Sequence, residues 1–184
     1  MIRHPACSLV SQRLSGAVRT GQKHRRYAVA MDTFTMEAIG WVRSPHAATS
    51  SIPKGPAAKH TAEGVLEIRP DLEAGLTDID GFSHLYVIWA FHRAEGYDLL
   101  TITPNDDQPH GLFATRTPRR PNPIALSVVE LLRREAHRLH VRGVDMLDGT
   151  PILDIKPYLS NVPDERLKRG WLAEAEERRS RNAQ

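Results

Sequence analysis

The sequence predicts a mainly β fold, either a barrel or a sandwich, followed by one amphipathic helix. Seven short runs rich in β-branched and aromatic residues alternate with turn residues, which is typical of small antiparallel β domains. The chain has 184 residues and is 40% hydrophobic. Because single domains commonly span about 100 to 200 residues, these values predict one hydrophobic core with an appendage rather than two full domains.

The strands are predicted from the composition of each run and from the turns that bound it. In chain order they are Glu37–Arg43, Gly64–Ile68, Ser83–Phe91, Leu112–Thr115, Ile124–Leu132, Leu139–Val144 and Ile152–Lys156. Between the second and third strands, Asp71–Leu76 has the pattern of a single helical turn. Loops are predicted at Gly75, at Asp80-Gly81 and at Pro104-Asn105-Asp106.

The C-terminal part of the chain changes to helical periodicity. Pro163–Arg179 places four apolar residues on one helical face: Leu167, Trp171, Leu172 and Ala175. Acidic residues occupy the first turn and basic residues the last, as the helix dipole favours. We interpret this segment as a lid that packs on the β domain, in preference to a helix dedicated to a partner.

The N-terminal residues differ from the rest in charge. Six basic residues and no acidic one precede Asp32, so the remainder of the chain carries 19 basic and 22 acidic residues. The sequence pI near 9.2 therefore reflects residues 1–35, which we expect to be a basic, disordered extension. A translation start at Met31 or Met36, a transit peptide and a basic arm for RNA are the alternatives considered.

The cysteine content and the length of the apolar runs bear on cellular location. Cys7 is the single cysteine, so the sequence offers neither a disulfide framework nor a cysteine-based zinc site. The longest apolar run, Leu85–Phe91, is far shorter than the roughly 20 residues that cross a bilayer. We expect a cytoplasmic protein without a membrane span.

The segment Gly111–Ser127, GLFATRTPRRPNPIALS, is the densest cluster of chemistry in the chain. Its three arginines are Arg116, Arg119 and Arg120, and its three prolines are Pro118, Pro121 and Pro123. Proline fixes φ and removes backbone donors, so this loop is stiff and presents its cations in fixed positions. It is interpreted either as an anion-binding loop or as an ordinary surface loop.

A second polar segment, Gly143–Tyr158, reads GVDMLDGTPILDIKPY. Asp148-Gly149 predicts a turn in which the aspartate caps its own backbone. Asp154 and Lys156 lie two apart in a strand and therefore share a face. They form either a surface ion pair or a pair that lines the site for an acceptor base.

These two segments, together with Gly81–His92 (GFSHLYVIWAFH), closely resemble the TsaA/TrmO-like family of S-adenosylmethionine-dependent methyltransferases over residues 36–163. The resemblance implies a small mixed or antiparallel β-barrel with short helices and a C-terminal amphipathic helix over residues 164–184. It also implies a homodimer that binds S-adenosylmethionine close to the subunit interface. The expected reaction is N6-methylation of N6-threonylcarbamoyladenosine beside the anticodon of tRNA.

Matching motif positions carry the family's cofactor contacts onto this chain. These contacts are Gly55, Pro56, His92, Arg93, Arg116, Leu126, Val144 and Asp145, the last two within the stretch Arg142–Asp145. Two departures occur. The loop Ile52–Ala57 lacks the glutamine usual in the family, and Ala125 replaces a glycine.

Roles follow from the chemistry of the side chains. Arg116 suits the cofactor carboxylate because its planar guanidinium can bind bidentately, and Asp145 suits the ribose hydroxyls or the amine. His92, Asp154 and Lys156 are the candidate catalytic residues, although a structural role for His92 is the commoner outcome at a strand end. Candidate contacts to the acceptor RNA are Arg119, Arg120 and Asn122, with Lys156 and Arg116 as further basic positions.

Two other functions are consistent with the residues. A methyltransferase acting on a small molecule would fit the altered Pro53 loop and the slightly acidic domain. A metal-dependent hydrolase would use Asp145, Asp148 and Asp154, but carboxylates at these spacings are weak metal signals and no metal site is expected. The chain contains neither a P-loop nor a GxGxxG motif.

Overall fold

The computed structural model describes residues 33–53, 60–159 and 170–182. The chain divides into two units, Met1–Phe34 and Thr35–Gln184, and the fold described below belongs to the second. Its strands are β1 Gly40–Arg43, β2 Glu63–Ile68, β3 His84–Ala90, β4 Leu100–Thr103, β5 Asp106–Gly111, β6 Ile124–Glu135, β7 Arg138–Arg142 and β8 Pro151–Pro157. In the described ranges an α-helix, α1, spans Trp171–Asn182, and short 3-10 helices span Thr49–Ser51, Pro70–Leu76, Ile79–Gly81 and Leu112–Ala114.

Six of the strands close into a barrel, in the order β1-β2-β7-β6-β3-β8, and every pairing between them is antiparallel. Side chains alternate along β3, where Leu85, Val87 and Trp89 are buried while the intervening side chains point outward. The inward side chains of the other strands, including Leu66, Leu139 and Ile152, complete one apolar core. The predicted β-barrel is confirmed, and its strands are antiparallel.

The strand β6 is longer than predicted and pairs differently along its two halves. It pairs with β3 from Ile124 to Glu130, and with β7 only from Glu130 to Glu135. Within the described part of the chain, the other edge of β6 from Ile124 to Val129 therefore has no partner strand. This open edge of β6 is where the candidate site lies.

A two-stranded hairpin, β4–β5, lies outside the barrel sheet and was not predicted. Its turn and second strand contain Pro104, Asn105 and Pro109, which are typical of loops, so composition gave no strand signal. The predicted strand Leu112–Thr115 is wrong. Leu112–Ala114 is a 3-10 helix, closed by a hydrogen bond from the Thr115 hydroxyl to the Leu112 carbonyl at 2.8 Å.

The helix α1 confirms the predicted C-terminal helix over the residues that are described; the predicted start at Pro163 and Leu167 lie outside them. Ala175 on the predicted apolar face is buried, and the Trp171 ring stacks on His110 with centroids 3.7 Å apart. Arg178 Nη2 lies 2.6 Å from Asp106 Oδ2, and Arg179 donates to the Pro104 carbonyl. The helix therefore packs on the β4–β5 hairpin.

Among the described residues, no helix has the length and apolarity needed to span a bilayer.

Candidate functional site

Arg116 lies against the open edge of β6. Its Nη2 donates a hydrogen bond of 2.7 Å to the Leu126 carbonyl, which has no strand partner on that side among the described residues. The Arg116 side chain is otherwise exposed, and the other N–H groups of its guanidinium have no partner within the described ranges. This single anchor orients the cation and leaves donors for an anionic ligand.

Arg120 has a different position from the one expected of an RNA contact. Its Nη1 donates to the carbonyls of Leu112 and Thr115, at 3.3 and 3.0 Å. These bonds brace the proline-rich loop from within. Arg119 and Asn122 remain exposed at the surface of the loop, where they are free to meet a substrate.

Arg119 also borders a cleft between the loop and the β4–β5 hairpin. The cleft has a volume of about 190 Å³ and is lined by Asp98, Thr101, Thr117, Pro118 and Arg119. Its lining combines a cation, a carboxylate and two hydroxyl groups. It is suited to a small polar group rather than to a large apolar one.

Asp145 approaches the same edge of β6 from the end of β7. Gly143 has a φ of 95°, a conformation that glycine adopts without strain, and it turns the chain after Arg142. Gly143 and Val144 both donate their amides to the Ala62 carbonyl, at 3.0 and 3.1 Å. The next carboxylate, Asp145 Oδ1, accepts a hydrogen bond of 2.6 Å from the Ser127 hydroxyl.

The rest of the Arg142–Asp145 stretch serves the fold. Val144 is completely buried, so only its backbone could reach a ligand. Arg142 points outward and forms ion pairs with Glu63 and Glu130, at 3.0 and 2.9 Å. The hydrogen bond to Glu63 and the charge of Glu130 raise the pKa of the Arg142 guanidinium.

His92 and Arg93 form the middle of a turn directly after β3, in which Ala94 N donates to the Phe91 carbonyl at 3.0 Å. Phe91 N donates to the Pro123 carbonyl at 2.8 Å, which ties this turn to the start of β6. Partial burial of the ring, reinforced by the Arg93 charge, lowers the pKa of His92. The lowered pKa disfavours the protonated form of His92.

Asp154 and Lys156 form an exposed ion pair, with Nζ 2.7 Å from Oδ2, on the outer face of β8. In the barrel Asp154 pairs with Ile88 of β3, whereas His92 lies in the turn that follows the end of that strand at Ala90. Among the described residues, no hydrogen bond or ion pair joins His92 to Asp154 or Lys156.

Asp148 also has a structural partner. The predicted turn is confirmed, with Gly149 at a φ of 75°, but the expected cap on its own backbone is wrong. Asp148 Oδ1 instead accepts from Ser44 N at 3.1 Å, across to the segment that follows β1. The described residues contain no group of three or more His, Cys, Asp or Glu side chains that could hold a metal ion.

Two residues of the site were missed by the sequence reasoning. Ser127 is nearly buried inside the barrel, and Trp89 Nε1 donates to its hydroxyl at 3.0 Å. The available signal was a lone hydroxyl in the apolar run IALSVV. This run predicts only a strand, because no local spacing in the sequence connects Ser127 to Asp145.

The residues at the open edge fit the cofactor that the resemblance implies. Two successive residues of β6 hold one guanidinium that has further donors and one carboxylate whose second oxygen has no partner among the described residues, and the Leu126 side chain is exposed beside them. This set suits a ligand that carries both charges and an apolar part. Gly55 and Pro56 lie outside the described residues.

Comparisons with known proteins agree with this arrangement. Residues 41–164 match the family described as the tRNA-methyltransferase O N-terminal domain. The chain is 45% identical over 138 residues to a probable S-adenosyl-L-methionine-binding protein of Pyrococcus abyssi, covering 73% of each chain. It is 37% identical over 147 residues to the tRNA (adenine(37)-N6)-methyltransferase of Escherichia coli, covering 73% of this chain and 63% of that one.

A solved structure supports the same relationship. The crystal structure of TrmO from Pseudomonas aeruginosa superposes with a TM-score of 0.62 at 36% identity, covering 76% of this chain and 62% of that one. The chain spans only 38% of the length of an Archaeoglobus fulgidus relative with which it is 46% identical. Motifs, fold and relatives coincide over residues 41–164, so the chain belongs to the family of the tRNA-methyltransferase O N-terminal domain.

Proposed function

We propose that this protein is an S-adenosylmethionine-dependent methyltransferase that modifies N6 of N6-threonylcarbamoyladenosine next to the anticodon of tRNA. The observation that carries the proposal is that Arg116 and Asp145 are bonded to successive residues of β6, Arg116 to the Leu126 carbonyl and Asp145 to the Ser127 hydroxyl. Two relatives support it: the Escherichia coli protein is a tRNA (adenine(37)-N6)-methyltransferase, and the Pyrococcus abyssi protein is a probable S-adenosyl-L-methionine-binding protein.

The side chains divide the work by their chemistry. Arg116 holds the cofactor carboxylate, while Asp145 accepts hydrogen bonds from its polar donors. When bound, S-adenosylmethionine supplies a methyl group activated by its sulfonium. The fixed positions of the β6 edge orient donor and acceptor, and this positioning contributes most of the acceleration. His92, in the turn after β3, is the candidate proton acceptor, because an imidazole can take up a proton near neutral pH.

The RNA acceptor is expected to contact the proline-rich loop. The domain outside residues 1–31 has more acidic than basic residues, so its affinity for RNA must come from a local patch. Arg119 and Asn122 are exposed there, and Arg119 borders the polar cleft. Mature tRNA as substrate implies that the enzyme works in the cytoplasm.

A homodimer completes the proposal. The outer face of the barrel at β6 and beyond β8 exposes four large apolar side chains: Ile124, Leu126, Val128 and Tyr158. Apolar surface that is grouped in this way commonly marks a protein interface. A second copy covering this face would lie directly beside Leu126 and Arg116, and would enclose the cofactor edge.

The decisive experiment is mass spectrometry of tRNA nucleosides from cells that lack the gene. We expect the N6-methylated derivative to disappear and its unmethylated precursor to accumulate; full methylation in the deletion strain would refute the tRNA assignment. Isothermal calorimetry with S-adenosylhomocysteine separates the remaining cases. If the protein binds S-adenosylhomocysteine but the tRNA nucleosides of the deletion strain are unchanged, the protein is a small-molecule methyltransferase.

A further inference from the structure

We propose that Trp89 and Ser127 are positioning residues that hold Asp145 so that its Oδ2 accepts the α-ammonium group of the cofactor. This inference rests on the proposed function and goes beyond it in assigning a hydrogen-bond relay inside the barrel wall. The relay runs from the Trp89 indole to the Ser127 hydroxyl and on to the Asp145 carboxylate.

The first step of the relay has a fixed direction. An indole N–H can only donate, and Trp89 Nε1 lies 3.0 Å from Ser127 Oγ. Trp89 is 6% exposed and Ser127 is 4% exposed, so water does not compete freely for this bond. The serine oxygen is therefore an acceptor toward Trp89, and its own hydrogen must be donated elsewhere.

The second step follows because the Ser127 hydroxyl has one other partner among the described residues. That partner is Asp145 Oδ1, at 2.6 Å. A short O–H to O distance is typical of donation to a carboxylate. Asp145 Oδ1 therefore accepts the hydrogen bond from the Ser127 hydroxyl. If this hydroxyl pointed elsewhere, it would be a buried polar group without a partner, which is energetically costly.

The third step concerns the oxygen that remains. Asp145 Oδ2 has no hydrogen-bond partner within the described ranges, and the side chain is only partly buried. The Ser127 bond restrains Oδ1, which leaves Oδ2 available as an acceptor for a ligand with N–H or O–H groups.

The guanidinium of Arg116, bonded to the neighbouring residue of β6, favours some of these ligands over others. Arg116 binds the carbonyl of Leu126, while Asp145 binds the side chain of the next residue, Ser127. Successive Cα atoms lie about 3.8 Å apart, so a guanidinium and a carboxylate are anchored at adjacent positions of one strand. An α-amino acid carries its carboxylate and ammonium on one carbon. This pairing favours the ammonium over the ribose hydroxyls as the group that Asp145 binds.

The test compares two ligands by calorimetry. S-adenosylhomocysteine carries the α-amino acid, whereas 5′-methylthioadenosine keeps the nucleoside and lacks it. Ser127→Ala leaves Asp145 without its donor, and we expect about 10-fold weaker binding of S-adenosylhomocysteine with unchanged binding of methylthioadenosine. Trp89→Phe, which removes the N–H and keeps a ring, should have a smaller effect in the same direction.

Val129→Ala is the matched control, because Val129 is a buried, inward-facing residue two positions along β6 from Ser127. It should lower the melting temperature without changing either affinity. Equal losses for both ligands in Ser127→Ala would overturn the ammonium assignment, and unchanged affinities would overturn the relay. Failure of the wild-type protein to bind S-adenosylhomocysteine would instead refute the proposed function.

A measurement on the wild-type protein covers the case in which a variant does not fold. The indole N–H of Trp89 gives an NMR signal that reports on its bond to Ser127. We expect this signal to shift when S-adenosylhomocysteine is added and to move little with methylthioadenosine. An indole N–H signal whose chemical shift is unchanged at saturating concentrations of both ligands would contradict the relay.

Discussion

At the scale of single residues, Arg116 combines an exposed side chain with one anchoring hydrogen bond. Replacing it by alanine should weaken binding of S-adenosylhomocysteine about 10- to 100-fold, since hydrogen bonds to charged groups contribute about 1.5–3 kcal/mol. Arg116→Lys should recover only part of this loss, because an ammonium cannot bind bidentately. Calorimetry gives the affinities, and a melting curve should show a fold of nearly unchanged stability.

Arg119→Ala is the control for that prediction. Its side chain is exposed and borders the cleft rather than the β6 edge. The cofactor affinity should therefore stay at the wild-type value, while the affinity for tRNA falls and becomes less dependent on salt. Equal loss of cofactor affinity in both variants would show that the loop as a whole, and not Arg116, binds the ligand.

The lowered pKa of His92 has a consequence for stability. The folded protein binds this proton less readily than the unfolded chain, so His92 reduces stability as the pH falls through its unfolded pKa toward its folded one. His92→Gln should match the wild type at pH 8 and lose less stability than the wild type at pH 5, measured as melting temperature. In an NMR titration, Arg93→Gln should move the His92 pKa upward. A pKa of His92 above the ordinary histidine value would contradict both expectations.

At the scale of elements, α1 secures the hairpin that lies beside the proline-rich loop. Trp171 stacks on His110 of β5, and its Nε1 donates to the Ala114 carbonyl at 3.0 Å, two residues before Arg116. Trp171→Ala should speed amide hydrogen exchange in β4 and β5 by about 5-fold or more, since an aromatic pair contributes about 1 kcal/mol beyond its burial. Exchange in the barrel strands should stay slow.

Two further variants separate the contributions of the Trp171 side chain. Trp171→Phe keeps a ring for His110 and loses the bond to Ala114, so its exchange rates should lie between those of the wild type and Trp171→Ala. Arg181→Ala changes an exposed residue of α1 that has no bond within the described ranges, and it should behave as the wild type. Unchanged hairpin exchange in Trp171→Ala would show that α1 does not secure it.

At the scale of the whole molecule, barrel closure determines where a ligand can meet the backbone. A closed antiparallel barrel removes free strand edges, and the described part of this one leaves an open stretch at the start of β6. That stretch is also next to the exposed apolar side chains of the outer face. The proposed cofactor site and the proposed dimer interface are therefore neighbours in this fold.

The dimer can be tested through Val128, whose side chain is 42% exposed on that face. Val128→Glu places a charge in the proposed interface, and we expect sedimentation velocity to show a shift from dimer to monomer at micromolar concentration. Ile102→Glu is a matched change, because Ile102 is 65% exposed on the hairpin instead. Dimerisation that survives Val128→Glu and fails in Ile102→Glu would place the interface on the hairpin.

The sequence by itself determined the elements whose signal is local. Strand β3 was found because its apolar and polar residues alternate, the 3-10 turn near Asp71 because of its composition, and α1 because its apolar residues recur at helical spacing. The motifs around Arg116 and Asp145 likewise identified the family.

Only the tertiary structure decided which of these side chains act together. Arg116 and Asp145 are bonded to successive residues of β6, Asp154 and Lys156 remain on the outer face of β8, and Arg120 braces its own loop. Ser127 and Asp145 are 18 positions apart, and Trp89 lies 38 positions before Ser127. The physical reason is that alternation along a chain reports only whether a side chain faces the core, whereas its partner is set by strand register and barrel closure.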